Sequence, residues 1–211
     1  MKKIATNNEL TKYLIDKEVL IFDFDGTIAD TETLHWSAYN ELLKSYGVKL
    51  TNFYISKYIG NDEKSIYKMI KEDFNIEFNE DAFLKARLDI YMQLVNDNNL
   101  KPYPIIENII LNHSSKKYVL SSQKKHIIVS LLQRWGIYGQ FKYIFSVADD
   151  NISKHDVLSS IKNIFNTDNC RAVLFEDSNK YLKMAIENDV FAIGVENKFN
   201  NVTNCDILIE V

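Results

Sequence analysis

The chain has 211 residues, of which 46% are hydrophobic, and it carries a formal net charge of −4 at pH 7. A chain of this length can bury a substantial core, either as one large domain or as a core with a smaller insert. Its lysines and arginines are scattered rather than massed, so nothing in the sequence indicates a nucleic-acid partner.

The sequence also gives no sign of export or membrane insertion. The residues after Lys2 and Lys3 lack the apolar core of a signal peptide, and no apolar run approaches the length of a membrane span. Cys170 and Cys205 are too few for a disulfide framework. We therefore expect a cytoplasmic protein with no membrane partner, while the sequence does not indicate an oligomeric state.

Residues 1 to about 16 are predicted to form a short amphipathic helix, and residues 18–22 the first strand. A run of consecutive apolar residues is typical of a strand that is covered on both faces. This run ends in Asp-Phe-Asp-Gly-Thr at residues 23–27, where the glycine lets the backbone turn. The two carboxylates are thus predicted at the strand edge where open α/β sheets build their sites.

From residue 31 to about residue 99, every periodic segment predicts a helix. A polar cluster at 96–99 and two prolines at 102 and 104 then mark a hinge, after which strands and helices alternate. The alternation comprises helices at 105–111, 125–135, 156–165 and 180–188, and strands at 118–120, 143–146, 172–175, 191–195 and 206–208.

Such alternation predicts an α/β fold with a doubly wound parallel sheet. The core is then formed by residues 1–30 and 100–211. Residues 31–99 are an inserted helical cap over the carboxyl edge of the sheet.

The motif at residues 23–27 resembles the opening motif of the haloacid dehalogenase-like (HAD) phosphohydrolases, and three further elements recur in that family's order. The resemblance covers nearly the whole chain. It implies a Rossmann-like core with an α-helical cap, as in the subfamily of β-phosphoglucomutase and phosphoglycolate phosphatase.

The resemblance also implies roles for the first motif. Asp23 would attack phosphorus and form an aspartyl-phosphate, and Asp25 would protonate the leaving group and then activate water. Gly26 and Thr27 would hold phosphoryl oxygens. The dehalogenases lack an acid at the position of Asp25, because halide needs no proton to leave, so this residue favours phosphoryl chemistry.

The second and third elements follow later strands. Ser121, which closes the apolar run at 118–120, would bind a phosphoryl oxygen, and Ser122 would help through its amide. Lys154 would balance the charge of the nucleophile and the phosphate. Many relatives have proline directly after this lysine, whereas this chain has His155 and Asp156.

The fourth element is an apolar strand at 172–175 followed by Glu176 and Asp177. Mg²⁺ prefers carboxylate and water oxygens. By resemblance, Asp23, the backbone carbonyl of Asp25 and Asp177 would bind Mg²⁺, with Glu176 as a direct or water-mediated partner. Two glycines that are usual downstream are replaced here by Tyr181 and Asp189.

The cap carries two further candidates for the substrate site. The entrance at residues 30–35 resembles that of β-phosphoglucomutase-like caps, where a histidine at the position of His35 contributes to proton handling near Asp25. Arg87 falls where mutases carry a lysine, and it would recognise a second anionic group. However, residues 61–63 lack the arginine with which mutases grip the distal phosphate, which counts against a mutase.

We therefore expect a Mg²⁺-dependent phosphatase that hydrolyses a small phosphorylated metabolite such as a sugar, polyol or short-acid phosphate. A phosphosugar mutase is the alternative enzyme, and a non-catalytic binding protein that kept the fold is the alternative of another class. Phosphonate cleavage would need an imine-forming lysine on the cap, for which the sequence offers no convincing candidate.

Overall fold

The computed structural model describes residues 2–4, 7–59, 61 and 63–211. The chain divides into two compact units. One unit, the core, comprises Met1–Asp30 and Lys101–Val211. The other, the helical unit, comprises Thr31–Leu100 and lies within the sequence of the first.

The core is built on one sheet, which has seven parallel strands within the described residues. In chain order these are β1 (Lys2–Ile4), β2 (Val19–Phe22), β3 (Lys116–Ser121), β4 (Phe141–Ser146), β5 (Ala172–Glu176), β6 (Phe191–Glu196) and β7 (Ile207–Glu210). Their spatial order is β1-β7-β6-β5-β2-β3-β4.

Strand β2 lies inside this sheet, between β3 and β5. All four of its residues are buried, as expected for a strand that is covered by helices on both faces. From β2 the chain continues to β3 and β4 on one side and later to β5, β6 and β7 on the other. The strand order therefore reverses beside β2, and this is the point where open α/β sheets bind their ligands.

The helices of the core connect the strands. They are α1 (Asn7–Leu14), α6 (Pro104–Asn112), α7 (Lys125–Arg134), α8 (Lys154–Ser159), α9 (Ile161–Phe165) and α10 (Asn179–Glu187). Side chains of α8, α9 and α10 pack on Val19, Ile21 and Leu174, which come from the alternate positions of β2 and β5. The predicted doubly wound α/β fold is confirmed.

The helical unit consists of α2 (Thr31–Leu43), α3 (Asn52–Tyr58), α4 (Glu63–Phe74) and α5 (Glu80–Asp97). Its described residues contain no strand, in agreement with the helical periodicity of this segment. Aromatic side chains supply much of its interior: Tyr39, Tyr67 and Phe83 are buried, and the ring of Phe78 stacks on Phe83 with centroids 4.2 Å apart.

Within the core, the residues that flank the helical unit are adjacent to each other. Ala29 pairs with Pro102 in an antiparallel bridge, and the amide of Tyr103 donates to the carbonyl of Ile28 at 2.8 Å. The chain thus leaves the core and returns to it at one place.

The N-terminal prediction was partly wrong. Lys2–Ile4 form an edge strand beside β7, and the described part of the helix spans Asn7–Leu14. Residues 1, 5 and 6, which the predicted helix also included, lie outside the described residues. A three-residue strand is too short to show an alternation of apolar and polar residues. The helical periodicity of the residues that follow was therefore extended over it.

The helix predicted over 156–165 is also interrupted. It begins at Lys154, and Ser160, with φ −119° and ψ 22°, separates α8 from α9. Neither these helices nor any other described helix is long and apolar enough to span a bilayer.

Candidate active site

The candidate catalytic residues lie at the carboxyl ends of neighbouring strands. Asp23 directly follows β2, and its amide donates to the carbonyl of Phe175 in β5 at 2.9 Å. Because the register pairs Phe22 with Phe175, the residues that follow them, Asp23 and Glu176, emerge side by side. The sheet thereby brings together carboxylates that are far apart in the sequence.

The loop after β2 turns tightly at Gly26. This residue has φ +72°, a conformation in which glycine is favoured, and its amide donates to the carbonyl of Ala29 at 3.0 Å. A Cβ atom here would clash with the carboxylate of Asp177 and lie 2.9 Å from the side-chain nitrogen of Asn197. Gly26 is therefore required both for the turn and for the close approach of Asp177.

The hydroxyl of Thr27 is fully buried, and no side-chain or backbone group within the described residues forms a hydrogen bond with it. Buried hydroxyls usually have a partner. A phosphoryl oxygen bound beside Asp23 would supply one.

The two predicted serines differ in exposure. Ser121, the last residue of β3, is buried, and its hydroxyl oxygen accepts from the amide of Gln123 at 3.1 Å. Ser122 is exposed, so its hydroxyl is not buried beside that of Ser121. The predicted contribution of Ser122 was through its backbone amide, which remains a prediction.

Lys154 lies between two carboxylates. Its Nζ atom is 2.9 Å from Oδ1 of Asp23 and 2.7 Å from Oε2 of Glu176, and its side chain is 4% exposed. The ring of Tyr181 covers the ammonium, with Nζ 4.5 Å from the ring centroid. The resemblance implies a glycine at the position of Tyr181.

Lys154 is the first residue of α8, and a capping box fixes this end of the helix. The hydroxyl of Ser153 accepts from the amide of Asp156 at 3.1 Å, and the carboxylate of Asp156 accepts from the amide of Ser153 at 3.0 Å. The capping box satisfies two backbone donors at the helix start. Asp156 thus fixes the backbone at the start of the helix that carries Lys154.

Burial and neighbouring charges shift the pKa values of these groups. Burial raises the pKa of Asp23 to about 8, with a further contribution from the charge of Glu176, while Lys154 opposes the shift. Burial likewise raises the pKa of Glu176. Burial alone would lower the pKa of Lys154, but the charges of Asp23 and Glu176 outweigh it and raise that pKa.

Asp23, Glu176 and Asp177 form a cluster that could hold a metal ion, with one oxygen from each residue within 4.8 Å of the others. All three are buried, and Lys154 contacts two of them. Hard carboxylate oxygens in this number suit Mg²⁺, and a divalent cation would offset their mutual repulsion. The residues therefore fit the predicted metal. Asp25, whose predicted contribution is its backbone carbonyl, lies close enough to raise the pKa of Asp23.

Asn197 and Asn200 were missed by the sequence analysis. Both side-chain amides donate to Oδ2 of Asp177, from Asn197 at 3.0 Å. They follow β6, whose carboxyl end lies beside that of β5. The polar run after this strand marks a loop, but it does not distinguish these two asparagines from their neighbours.

His35 and Arg87 lie together within the helical unit. The guanidinium of Arg87 is 3.2 Å from Nδ1 of His35 and forms an ion pair with Glu63. Since arginine can only donate, Nδ1 of His35 is the acceptor in this contact. Arg87 is 2% exposed and lies over the rings of Tyr39 and Tyr91. Its predicted role in binding substrate stays a prediction.

Comparison with known proteins places the chain in a family. The family model described as haloacid dehalogenase-like hydrolase matches residues 20–195. A fructose-1-phosphate phosphatase from Escherichia coli is 26% identical over 137 residues, which are 64% of this chain and 71% of that protein.

Solved structures agree in fold. A putative β-phosphoglucomutase from Thermotoga maritima is 21% identical with a TM-score of 0.73, and the match covers 92% of this chain and 94% of the other. A predicted phosphoglycolate phosphatase from Haemophilus somnus is 15% identical with a TM-score of 0.75 at the same coverage. The predicted family is confirmed: the chain belongs to the haloacid dehalogenase-like hydrolases.

Proposed function

We propose that this hydrolase is a Mg²⁺-dependent phosphatase acting on a small phosphorylated carbohydrate through an aspartyl-phosphate on Asp23. The observation that carries the proposal is the group formed by Asp23, Lys154, Glu176 and Asp177 at the edge of the sheet where its strand order reverses. The phosphatase named among the relatives supports the same class of reaction.

In the proposed reaction, a carboxylate oxygen of Asp23 attacks phosphorus while the bond from phosphorus to the leaving oxygen breaks. Asp25 gives its proton to that oxygen, so the alcohol leaves neutral. Asp25 then takes a proton from the water that attacks the aspartyl-phosphate, and Asp23 is regenerated. The acid and the nucleophile belong to one short loop, which fixes their separation.

The other residues of the core position the phosphoryl group and stabilise its charge. Lys154 lies against Asp23, where its ammonium would neutralise phosphoryl oxygens, and the buried hydroxyls of Thr27 and Ser121 would bind them. Asp23, Asp177, the carbonyl of Asp25 and Glu176 would hold the metal. Mg²⁺ would supply electrostatic stabilisation of the charge on the transferring group.

We assign substrate discrimination to the helical unit, with His35 and Arg87 as its candidate residues. A sugar phosphate is the favoured class because the named relative acts on fructose 1-phosphate. The ion pair between Arg87 and Glu63 reduces the positive charge that this unit offers to a second phosphate. This observation favours a phosphatase over a mutase, which must bind a bisphosphate.

A substrate panel tests the proposal. Purified protein would be incubated with phosphorylated sugars, polyols, nucleotides and short acids, with Mg²⁺ or with excess chelator, and free phosphate would be measured. We expect phosphate release from sugar phosphates that requires Mg²⁺. A product that retains its phosphate, formed only when a bisphosphate is present, would identify a mutase instead. Equal rates in chelator would overturn the metal assignment.

A further inference from the structure

The loop after β6 contacts the proposed metal site through its side chains. Asn197 is buried, and its Nδ2 donates both to Oδ2 of Asp177 and to the carbonyl of Gly26, each at 3.0 Å. Asn200 donates to the same Oδ2 atom. One carboxylate oxygen of Asp177 is therefore held by two amides from a different part of the chain.

The orientation of the Asn197 amide is fixed by two independent contacts. A carboxylate oxygen can only accept, so the atom that faces Asp177 must be the nitrogen. On the other side, Oδ1 of Asn197 accepts from the amide of Phe199 at 2.9 Å. A rotation that exchanged the two atoms would break both contacts, so this side chain has one orientation.

Gly26 takes part in this set of contacts. The absent side chain of this glycine leaves the space in which Asp177 and Asn197 meet, and its carbonyl accepts from Asn197. The catalytic loop after β2, the acidic end of β5 and the loop after β6 are thus joined at Asn197. A change at this residue would remove one of the two amide contacts to Oδ2 of Asp177.

We propose that Asn197 and Asn200 are positioning residues that orient the carboxylate of Asp177 for Mg²⁺. This inference rests on the metal site in the proposed function. Hydrogen bonds from residues behind a ligand fix its direction and strengthen its binding of the ion. These two residues act through Asp177 and do not bind the ion.

The test compares Asn197→Ala, Asn200→Ala and the double variant with Asn201→Ala. Asn201 is an exposed asparagine of the same loop, and the contact that the structure records for it is through its backbone carbonyl. Mg²⁺ affinity would be measured by calorimetry on metal-free protein without substrate. We expect the double variant to bind Mg²⁺ about 10- to 100-fold more weakly, and Asn201→Ala to match the wild type.

A second measurement separates positioning from a structural role. Phosphate release would be followed against Mg²⁺ concentration, and thermal unfolding would be recorded without metal. Positioning predicts a raised half-saturating Mg²⁺ concentration with the maximal rate recovered at high Mg²⁺. If Asn197→Ala does not fold, Asn200→Ala, at a half-buried position, carries the test.

Two results would overturn the inference. If the wild type binds Mg²⁺ and the variants bind it equally well, the positioning role fails while the proposed function stands. If the wild type neither binds Mg²⁺ nor needs it for phosphate release, both the inference and the metal assignment fail.

Discussion

At the residue scale, the two aspartates of the first motif differ in how deeply they are buried. Asp23 is buried against Lys154 and Glu176, and burial raises its pKa to about 8. Asp25 is only half-buried on the loop that follows. A raised pKa favours the neutral form of Asp23, whereas attack on phosphorus needs the carboxylate, which the charge of Lys154 favours and a bound Mg²⁺ would favour further.

Replacing Asp25 by asparagine tests its role as proton donor. The change keeps the shape and the backbone carbonyl, so we expect Mg²⁺ affinity to remain unchanged. The turnover number should fall by about 10²- to 10⁴-fold, the usual contribution of general acid–base catalysis. Steady-state rates with a sugar phosphate would measure the loss. An unaltered rate would show that protons are moved by another group.

Replacing Thr27 by valine tests its proposed contact with phosphate. Valine has a similar shape and removes a hydroxyl that has no recorded hydrogen bond within the described chain, so the fold should be unharmed. We expect substrate affinity or turnover to decrease by about 10-fold, the equivalent of one hydrogen bond of roughly 1.4 kcal/mol. Thermal unfolding is the control, and undiminished catalysis would refute the contact.

At the scale of elements, helix termini and strand ends carry the site. Lys154 reaches Asp23 because α8 begins at that residue, and the capping box of Ser153 and Asp156 fixes this beginning. Hydrogen bonds from Ser153 lower the pKa of Asp156. The helix start that presents the proposed catalytic lysine is therefore stabilised by an ionised carboxylate.

The capping box predicts a pH-dependent effect of Asp156→Ala. A carboxyl whose pKa is lowered in the fold stabilises it above the pKa of the unfolded chain, and this stabilisation is lost as the pH falls. We expect the variant to melt below the wild type at pH 7, with the difference shrinking toward pH 3. Asp168→Ala, at an exposed acid without a capping contact, is the control. An equal deficit at both pH values would contradict the role.

The sequence predicted the elements best where many residues repeat one pattern. The continuous apolar run of β2 correctly indicated a strand buried on both faces, and the acids at the carboxyl ends of β2 and β5 do lie together. The strand at Lys2–Ile4 and the break at Ser160 were missed because each depends on a few residues with no period of their own. Asn197 and Asn200 were missed because a loop asparagine acquires its role only through a tertiary contact.

At the scale of the whole molecule, two units share one chain. The core holds the proposed catalytic groups, and the helical unit enters between Asp30 and Lys101. The bridge from Ala29 to Pro102 keeps these two ends together within the core. Insertions between adjacent ends tend to be tolerated, since the core need not rearrange to accept them.

This arrangement predicts that the core survives removal of the helical unit. Replacing Thr31–Leu100 by a short Gly-Ser linker should leave a protein that folds and binds Mg²⁺, because the proposed ligands are all in the core. We expect it to lose preference among sugar phosphates while it retains slow cleavage of a simple aryl phosphate. Circular dichroism and the substrate panel would measure both. Retained preference would place substrate discrimination in the core.

The central claim is that Asp23 becomes phosphorylated, and trapping the intermediate tests it directly. Protein would be mixed with a sugar phosphate labelled in its phosphoryl group, then quenched in acid and digested. The labelled peptide would be identified by mass spectrometry. The account predicts label on Asp23 that persists longer in Asp25→Asn, because the second step also needs Asp25, and no label in Asp23→Asn. Turnover without label on Asp23, or full activity of Asp23→Asn, would contradict it.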